Sequence, residues 1–188
     1  MSLWIYIDNS NVFIEGQRVS AVKTGMAANI YDAMNKKILD PSYRIDFGAL
    51  HCFLSEDNPS QIRRAILFGS RPPPNDSLWR IAESTGFDTV IEDRNIINKE
   101  KRIDTGIVYV ITRDAYTKVD KTSDVIKLVA GDGDFVPAVE PLVNDGYQVH
   151  IVFWSHASQE LIEAATTFTS LDSHIDSLRY NAHRQQFA

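Results

Sequence analysis

Short apolar runs rich in β-branched residues recur along the chain, and most precede a segment whose apolar residues repeat at helical spacing. That alternation predicts βαβ units and a parallel sheet. Leu3 to Ile7 reads as a first strand ending at Asp8. Arg63 to Gly69, Phe87 to Glu92, Val125 to Ala130 and Gln148 to Trp154 read as four more. The expected fold is therefore α/β, a three-layer α/β/α sandwich with a mostly parallel central sheet of about five strands.

The helical segments carry their own punctuation. Asp46 reads as the N-cap of a helix through Leu50 and Leu54. Leu78 to Glu83 reads as a helix with Asp76 as cap and Gly86 as stop. Asp104 to Tyr116 has a strand-like core, IVYVIT, yet Asp104, Ile107, Val108, Ile111 and Ala115 share one helical face, so a helix is expected. Val136, Val139, Leu142 and Val143 continue the helical pattern, with Pro137 in the first turn and Asn144-Asp145-Gly146 at the end. Ser158 to Phe168 reads as an amphipathic helix. Between residues 12 and 60, Lys36-Lys37 and Asp40-Pro41 predict a solvated helix followed by a loop. Residues 1–175 are expected to form a single domain and 176–188 a C-terminal tail, a frayed helix or disordered end.

A chain of 188 residues fits one domain and can bury a core without disulfides or structural metals. Its single cysteine, Cys52, cannot form an internal bridge, which suits a reducing compartment, and it reads as a core residue. No apolar run approaches the roughly 20 residues that span a bilayer. The opening MSLWIYID lacks a basic region ahead of its apolar run and reads as a strand, so a soluble cytoplasmic protein without membrane association is expected. The net charge of -6 weighs weakly against a nucleic-acid partner, because aspartates taken up by cations would leave the remainder nearly neutral.

Those aspartates stand at telling places. In an open parallel sheet, ligands bind beyond the carboxyl ends of the strands. Asp8-Asn9-Ser10-Asn11 follows the first strand and Gly131-Asp132-Gly133-Asp134 the fourth, while Asp104 opens the helix before the fourth strand. A single aspartate after a strand is usually a cap or turn residue. Several at one edge repel one another unless a cation lies among them. Oxygen ligands without a Cys/His pattern suit Mg²⁺ or Mn²⁺ rather than Zn²⁺. Gly131 and Gly133 are expected to turn the backbone so that both flanking carboxylates face one point. A calcium loop of the EF-hand type lacks its closing glutamate here.

Three blocks then resemble a known family. Ile5-Tyr6-Ile7-Asp8-Asn9-Ser10-Asn11 resembles the Asp-x-x-Asn opening of NYN domains of the LabA-like type. Lys101-Arg102-Ile103-Asp104 is similar to the family's Lys-x-x-Asp helix start. Val129-Ala130-Gly131-Asp132-Gly133-Asp134-Phe135-Val136-Pro137 is similar to its Gly-Asp-x-Asp-Phe signature, and Gly146 to Trp154 to the strand that follows. The blocks fall in the family's order over about residues 3–171. The resemblance implies a PIN-like fold and a Mg²⁺- or Mn²⁺-dependent acidic site acting on RNA, single-stranded RNA being the expected substrate. By position, the acids are Asp8, Asp104, Asp132 and Asp134, with Asn11 as a polar helper. Many relatives carry Ala-Asp-x-Phe in the last helix, where this chain has Ala165-Thr166-Thr167-Phe168, and the stretch from Val19 to Tyr43 is longer than the family minimum.

The expected chemistry is metal-assisted phosphodiester hydrolysis. Asp8, Asp132 and Asp134 hold one or two cations, Asp104 completes the cluster or orients the attacking water, and Asn11 bonds a ligand carboxylate or a phosphate oxygen. Lys101 either contacts the scissile phosphate or pairs with Asp104. Arg63, Arg64, Arg71, Arg94, Lys99 and Arg102 are candidates for a phosphate-tracking rim, with Arg71 and Arg94 preferred because they follow the second and third strands. Trp4, Phe68, Trp79, Phe135 and Trp154 read as core, and the five histidines show no ligand spacing.

The competing reading is a non-catalytic NYN domain that binds RNA or a protein. A von Willebrand A-type metal site wants a hydroxyl where Val12 stands, and a haloacid-type phosphatase wants an aspartate where Ser10 stands. Exposed sheet edges of such a fold offer a route to a homodimer.

Overall fold

The computed structural model describes residues 1–71, 77–93 and 99–181. Its centre is a sheet of six parallel strands in the order β3-β2-β1-β4-β5-β6. These are β1 (Leu3–Asp8), β2 (Ile62–Arg71), β3 (Asp88–Asp93), β4 (Val125–Val129), β5 (Gln148–Phe153) and β6 (Thr167–Ser170). The helices are α1 (Asn9–Lys23), α2 (Ile30–Lys36), α3 (Phe47–Leu54), α4 (Ser77–Ser84), α5 (Lys99–Thr117), α6 (Val136–Asn144) and α7 (Gln159–Ala164).

Why the chain builds three layers is visible in β1. Every residue of this strand is buried, as a central parallel strand covered on both faces requires. Its alternate side chains feed two cores. Leu3, Ile5 and Ile7 pack with α1, α3 and α4, through residues such as Val12, Leu50 and Trp79. Trp4 and Tyr6 pack with α5, α6 and α7, through Ile107, Leu142 and Leu161. Phe68, Phe135 and Trp154 are buried as expected.

The IVYVIT segment is helical. Ile103, Ile107, Ile111 and Ala115 are buried at four-residue intervals, so helical burial overrides a strand-like composition. The far half of α5 is pinned to the sheet. The fully buried Asp114 accepts hydrogen bonds from Tyr6 Oη at 3.0 Å and Arg64 Nη1 at 2.5 Å, and Lys118 Nζ lies 3.2 Å away. Burial pushes the Asp114 carboxyl up, but these bonds and charges outweigh it and hold the group below its ordinary value.

The sheet has six strands, not five. The expected helix over 158–168 stops at Ala164, because Ala165 turns extended and Thr166 ties the chain to the start of β5. Thr166 accepts the Val149 N–H on its Oγ1 at 3.1 Å and donates its own N–H to the Val149 carbonyl at 2.9 Å. The segment Thr167–Ser170 that follows then pairs with β5 as β6.

Two further expectations change. Cys52 is exposed on α3 rather than in the core. The packed chain also runs past residue 175: Leu178 is buried, its carbonyl accepts the Asp46 N–H at 2.8 Å, and Arg179 bridges to Ile45. The long stretch from Val19 to Tyr43 folds onto α1, burying Ala33, Asp40 and Tyr43. Asp46 caps α3 as expected, accepting the Ala49 N–H at 3.0 Å. Gly86 and Gly146 stop α4 and α6 with φ of 104° and 92°. No helix among the described residues is long and apolar enough to cross a membrane.

Candidate active site at the sheet rim

In the observed strand order the chain first moves outward from β1 through β2 to β3, then returns to the other side of β1 at β4. The helices that follow β1 and β2 cover one face, and those that follow β3, β4 and β5 cover the other. The carboxyl ends of β1 and β4 therefore diverge into the crevice where ligands bind in doubly wound sheets.

Both aspartate blocks lie at this crevice. β1 and β4 pair directly, Ile7 opposite Val129. Asp8 follows Ile7, and Asp132 lies just past Val129, opening the 3-10 turn Gly133–Phe135 that carries Asp134. Asn11 ties the two strand ends together, its Oδ1 accepting the Gly131 N–H at 3.1 Å. The Ser158 N–H donates to the Gly131 carbonyl at 2.8 Å, so the chain after β5 closes over the same point.

Two of the carboxylates, Asp8 and Asp132, also have local work. Asp8, 6% exposed, caps α1 by accepting the Asn11 N–H at 3.1 Å. Asp132 caps its turn by accepting the Asp134 N–H at 3.0 Å. A cap uses part of a carboxylate that has about four acceptor sites, so it does not exclude a second role. Asp132 and Asp134 are exposed at the rim. Asp104 stands past the first turn of α5 rather than opening it, partly exposed. By strand alternation Asp8 belongs to the α5 face with Trp4 and Tyr6, and α5 packs on the turn that carries Asp134.

Among the described residues, no three His, Cys, Asp or Glu side chains make a group that could hold a metal. The all-oxygen rim fits a hard cation held by one or two carboxylates and water, the usual manner of Mg²⁺, and does not fit an all-protein cage. Neither Gly131 nor Gly133 has positive φ, and Gly133 opens the 3-10 turn. Gly131 is required by packing, because a Cβ there would lie 2.1 Å from Cδ1 of Phe153.

Arg94 lies outside the described residues. Of Arg71 and Lys101 only the backbone is described, at the end of β2 and in the first turn of α5. Thr166, at the position of the relatives' aspartate, bonds Val149 at the start of β5, on the opposite edge of the sheet from the rim. Two features were not singled out in the sequence. Asn9, adjacent to Asp8, is almost fully buried. His156 Nε2 lies 2.8 Å from Glu15 Oε2, and Glu15 also pairs with Arg18, one turn further along α1. Only the fold brings His156 to Glu15, whereas Asn9 lay within a quoted motif.

A six-stranded doubly wound domain with acids at its crevice belongs, by architecture, to the PIN-like class of nuclease folds. The family model of the NYN domain matches residues 2–172, and the chain belongs to that family. Its structure is similar to the crystal structure of a protein of unknown function from Vibrio parahaemolyticus RIMD 2210633. The TM-score is 0.63 at 19% identity, over 90% of this chain and 92% of the other. No curated protein matches the chain.

Proposed function

We propose that the protein is an endoribonuclease that hydrolyses phosphodiester bonds of single-stranded RNA at the β1/β4 rim, with Mg²⁺ or Mn²⁺. The observation that carries this reading is the Asn11–Gly131 hydrogen bond at 3.1 Å, which joins the Asp8 and Asp132 segments across the crevice.

Asp8 and Asp132 are the residues that would hold a cation, with Asp134 and Asp104 beside them. When bound, the cation lowers the pKa of water and offsets charge on the phosphate oxygens. Asp104 accepts a hydrogen bond from the attacking water and orients it towards phosphorus. Asn11 holds the two strand ends in register, and Arg71, Arg94 and Lys101 supply contacts to the phosphate chain.

Cleavage of a labelled single-stranded RNA with Mn²⁺ tests this proposal. Asp132→Asn keeps the cap, since asparagine caps as well as aspartate, and should lower the rate by about a hundredfold or more. Equal rates for the two proteins would remove the rim from catalysis. The second reading, an RNA- or protein-binding NYN domain without hydrolysis, draws on the lack of a three-carboxylate group among the described residues. It predicts no metal-dependent cleavage by either protein.

A further inference from the structure

On the face of the rim opposite α5, a cavity of about 250 Å³ opens between α1, α3 and α4. Phe13, Phe47, Leu78 and Ile81 give it apolar walls, and Asn9, Arg44 and Asp46 give it polar ones. Ligand sites have this composition, an apolar lining with a few fixed polar groups.

Asn9 is the telling residue. It is 9% exposed and lines the cavity, and its side-chain amide has no hydrogen-bond partner among the described residues. With no protein partner among the described residues, the amide keeps its donors and acceptor for water or for a ligand seated in the cavity. Arg44 is exposed at the same cavity and forms no ion pair among the described residues. Asp46 has one carboxylate oxygen fixed by the Ala49 N–H, and a carboxylate oxygen accepts.

We propose that this cavity is a nucleobase subsite in which Asn9 and Asp46 read the edge of one unstacked base while Arg44 contacts its phosphate. An aliphatic side chain would leave the Asn9 amide unsatisfied, whereas a base edge offers donors and acceptors, and single-stranded RNA is recognised by such splayed-out bases against aromatic walls. With an acceptor-only carboxylate beside an amide, the subsite favours adenine or cytosine, which carry an exocyclic amine, over uracil. Asn9 is the neighbour of Asp8, with Cα atoms about 3.8 Å apart. A base seated here holds the strand across the acidic rim, so the subsite selects which bond is presented. This rests on RNA being the substrate.

The experiment measures binding of fluorescent octamers of adenosine, cytidine and uridine, and of an abasic octamer, to the full chain in EDTA. Wild type, Asn9→Leu and Ile81→Trp are compared, and a parallel assay follows Mn²⁺-dependent cleavage. Ile81 is 45% exposed, so a tryptophan there fills the cavity without entering the core, and circular dichroism checks folding. If Asn9→Leu fails to fold, Ile81→Trp carries the test. The expected result is at least about tenfold tighter binding of the adenosine or cytidine octamer than of uridine, lost in both variants, with the abasic octamer bound alike by all. Equal affinity for all bases, or a preference that survives both variants, overturns the subsite. So does an Ile81→Trp effect confined to self-association, which would make the occupant a protein surface. Cleavage without base preference sinks the subsite alone; base preference without cleavage sinks hydrolysis alone.

Discussion

At the residue scale, the polar side chains divide by whether their partners are near in sequence or distant. Asp8 and Asn11 were legible as candidates because they share one short motif at a strand end. Asn11's bond to Gly131 was not, since it joins positions 120 residues apart. Asp40 was read as part of a loop, yet it is 1% exposed and gathers Ser20, Ser42 and Arg179. Burial pushes its carboxyl up, but those hydrogen bonds prevail and bring it down to about 2. A folded value below the unfolded one means stability that is present above about pH 4 and lost as pH falls towards 2. The contribution at neutral pH is about 2 kcal/mol. Urea unfolding between pH 2 and 6 should show this slope in wild type and a flatter one in Asp40→Asn.

At the scale of elements, the strands and helices that could be read were those with a clean period. α5 was legible because four-residue burial outlasted its β-branched core, and the end of α6 because Gly146 marks it. β6 was not, because four residues, two exposed and two half-exposed, carry too short a pattern to compete with the helical one before them. What ends α7 is the tie between Thr166 and Val149, a tertiary bond. Thr166→Val should remove the acceptor for the Val149 N–H and lower unfolding stability by about 1 kcal/mol. On the proposed function, Mn²⁺-dependent RNA cleavage per folded molecule should not change, because this edge is remote from the rim. Gly131→Ala should cost about 1–3 kcal/mol by pressing a methyl group into the Phe153 ring. Adding Phe153→Leu should restore part of that loss in thermal melts.

At the scale of the whole molecule, the parallel three-layer architecture was legible from alternation alone, but the strand order was not. Only that order makes β1 and β4 neighbours and so turns two distant motifs into one crevice. The C-terminal segment shows the same limit. Read alone, residues beyond 175 have no period. In the fold, Leu178 seals the core beneath α3 and Arg179 reaches Ser20 at 2.6 Å and Asp40 at 3.4 Å. Leu178→Ala should destabilise the domain by about 2–5 kcal/mol, read as a shift in the urea midpoint at constant slope.

The exposure of Asp132 has a consequence for how such a domain diverges. The long-range bonds that brace this corner run through the backbone of Gly131, from Asn11 and Ser158, while the Asp132 carboxylate makes the local cap to the Asp134 N–H, which asparagine can replace. On the proposed function, one nucleotide change at codon 132, from aspartate to asparagine, would therefore silence hydrolysis in a descendant that still folds. Loss of activity along such a lineage would need no compensating change elsewhere in the chain.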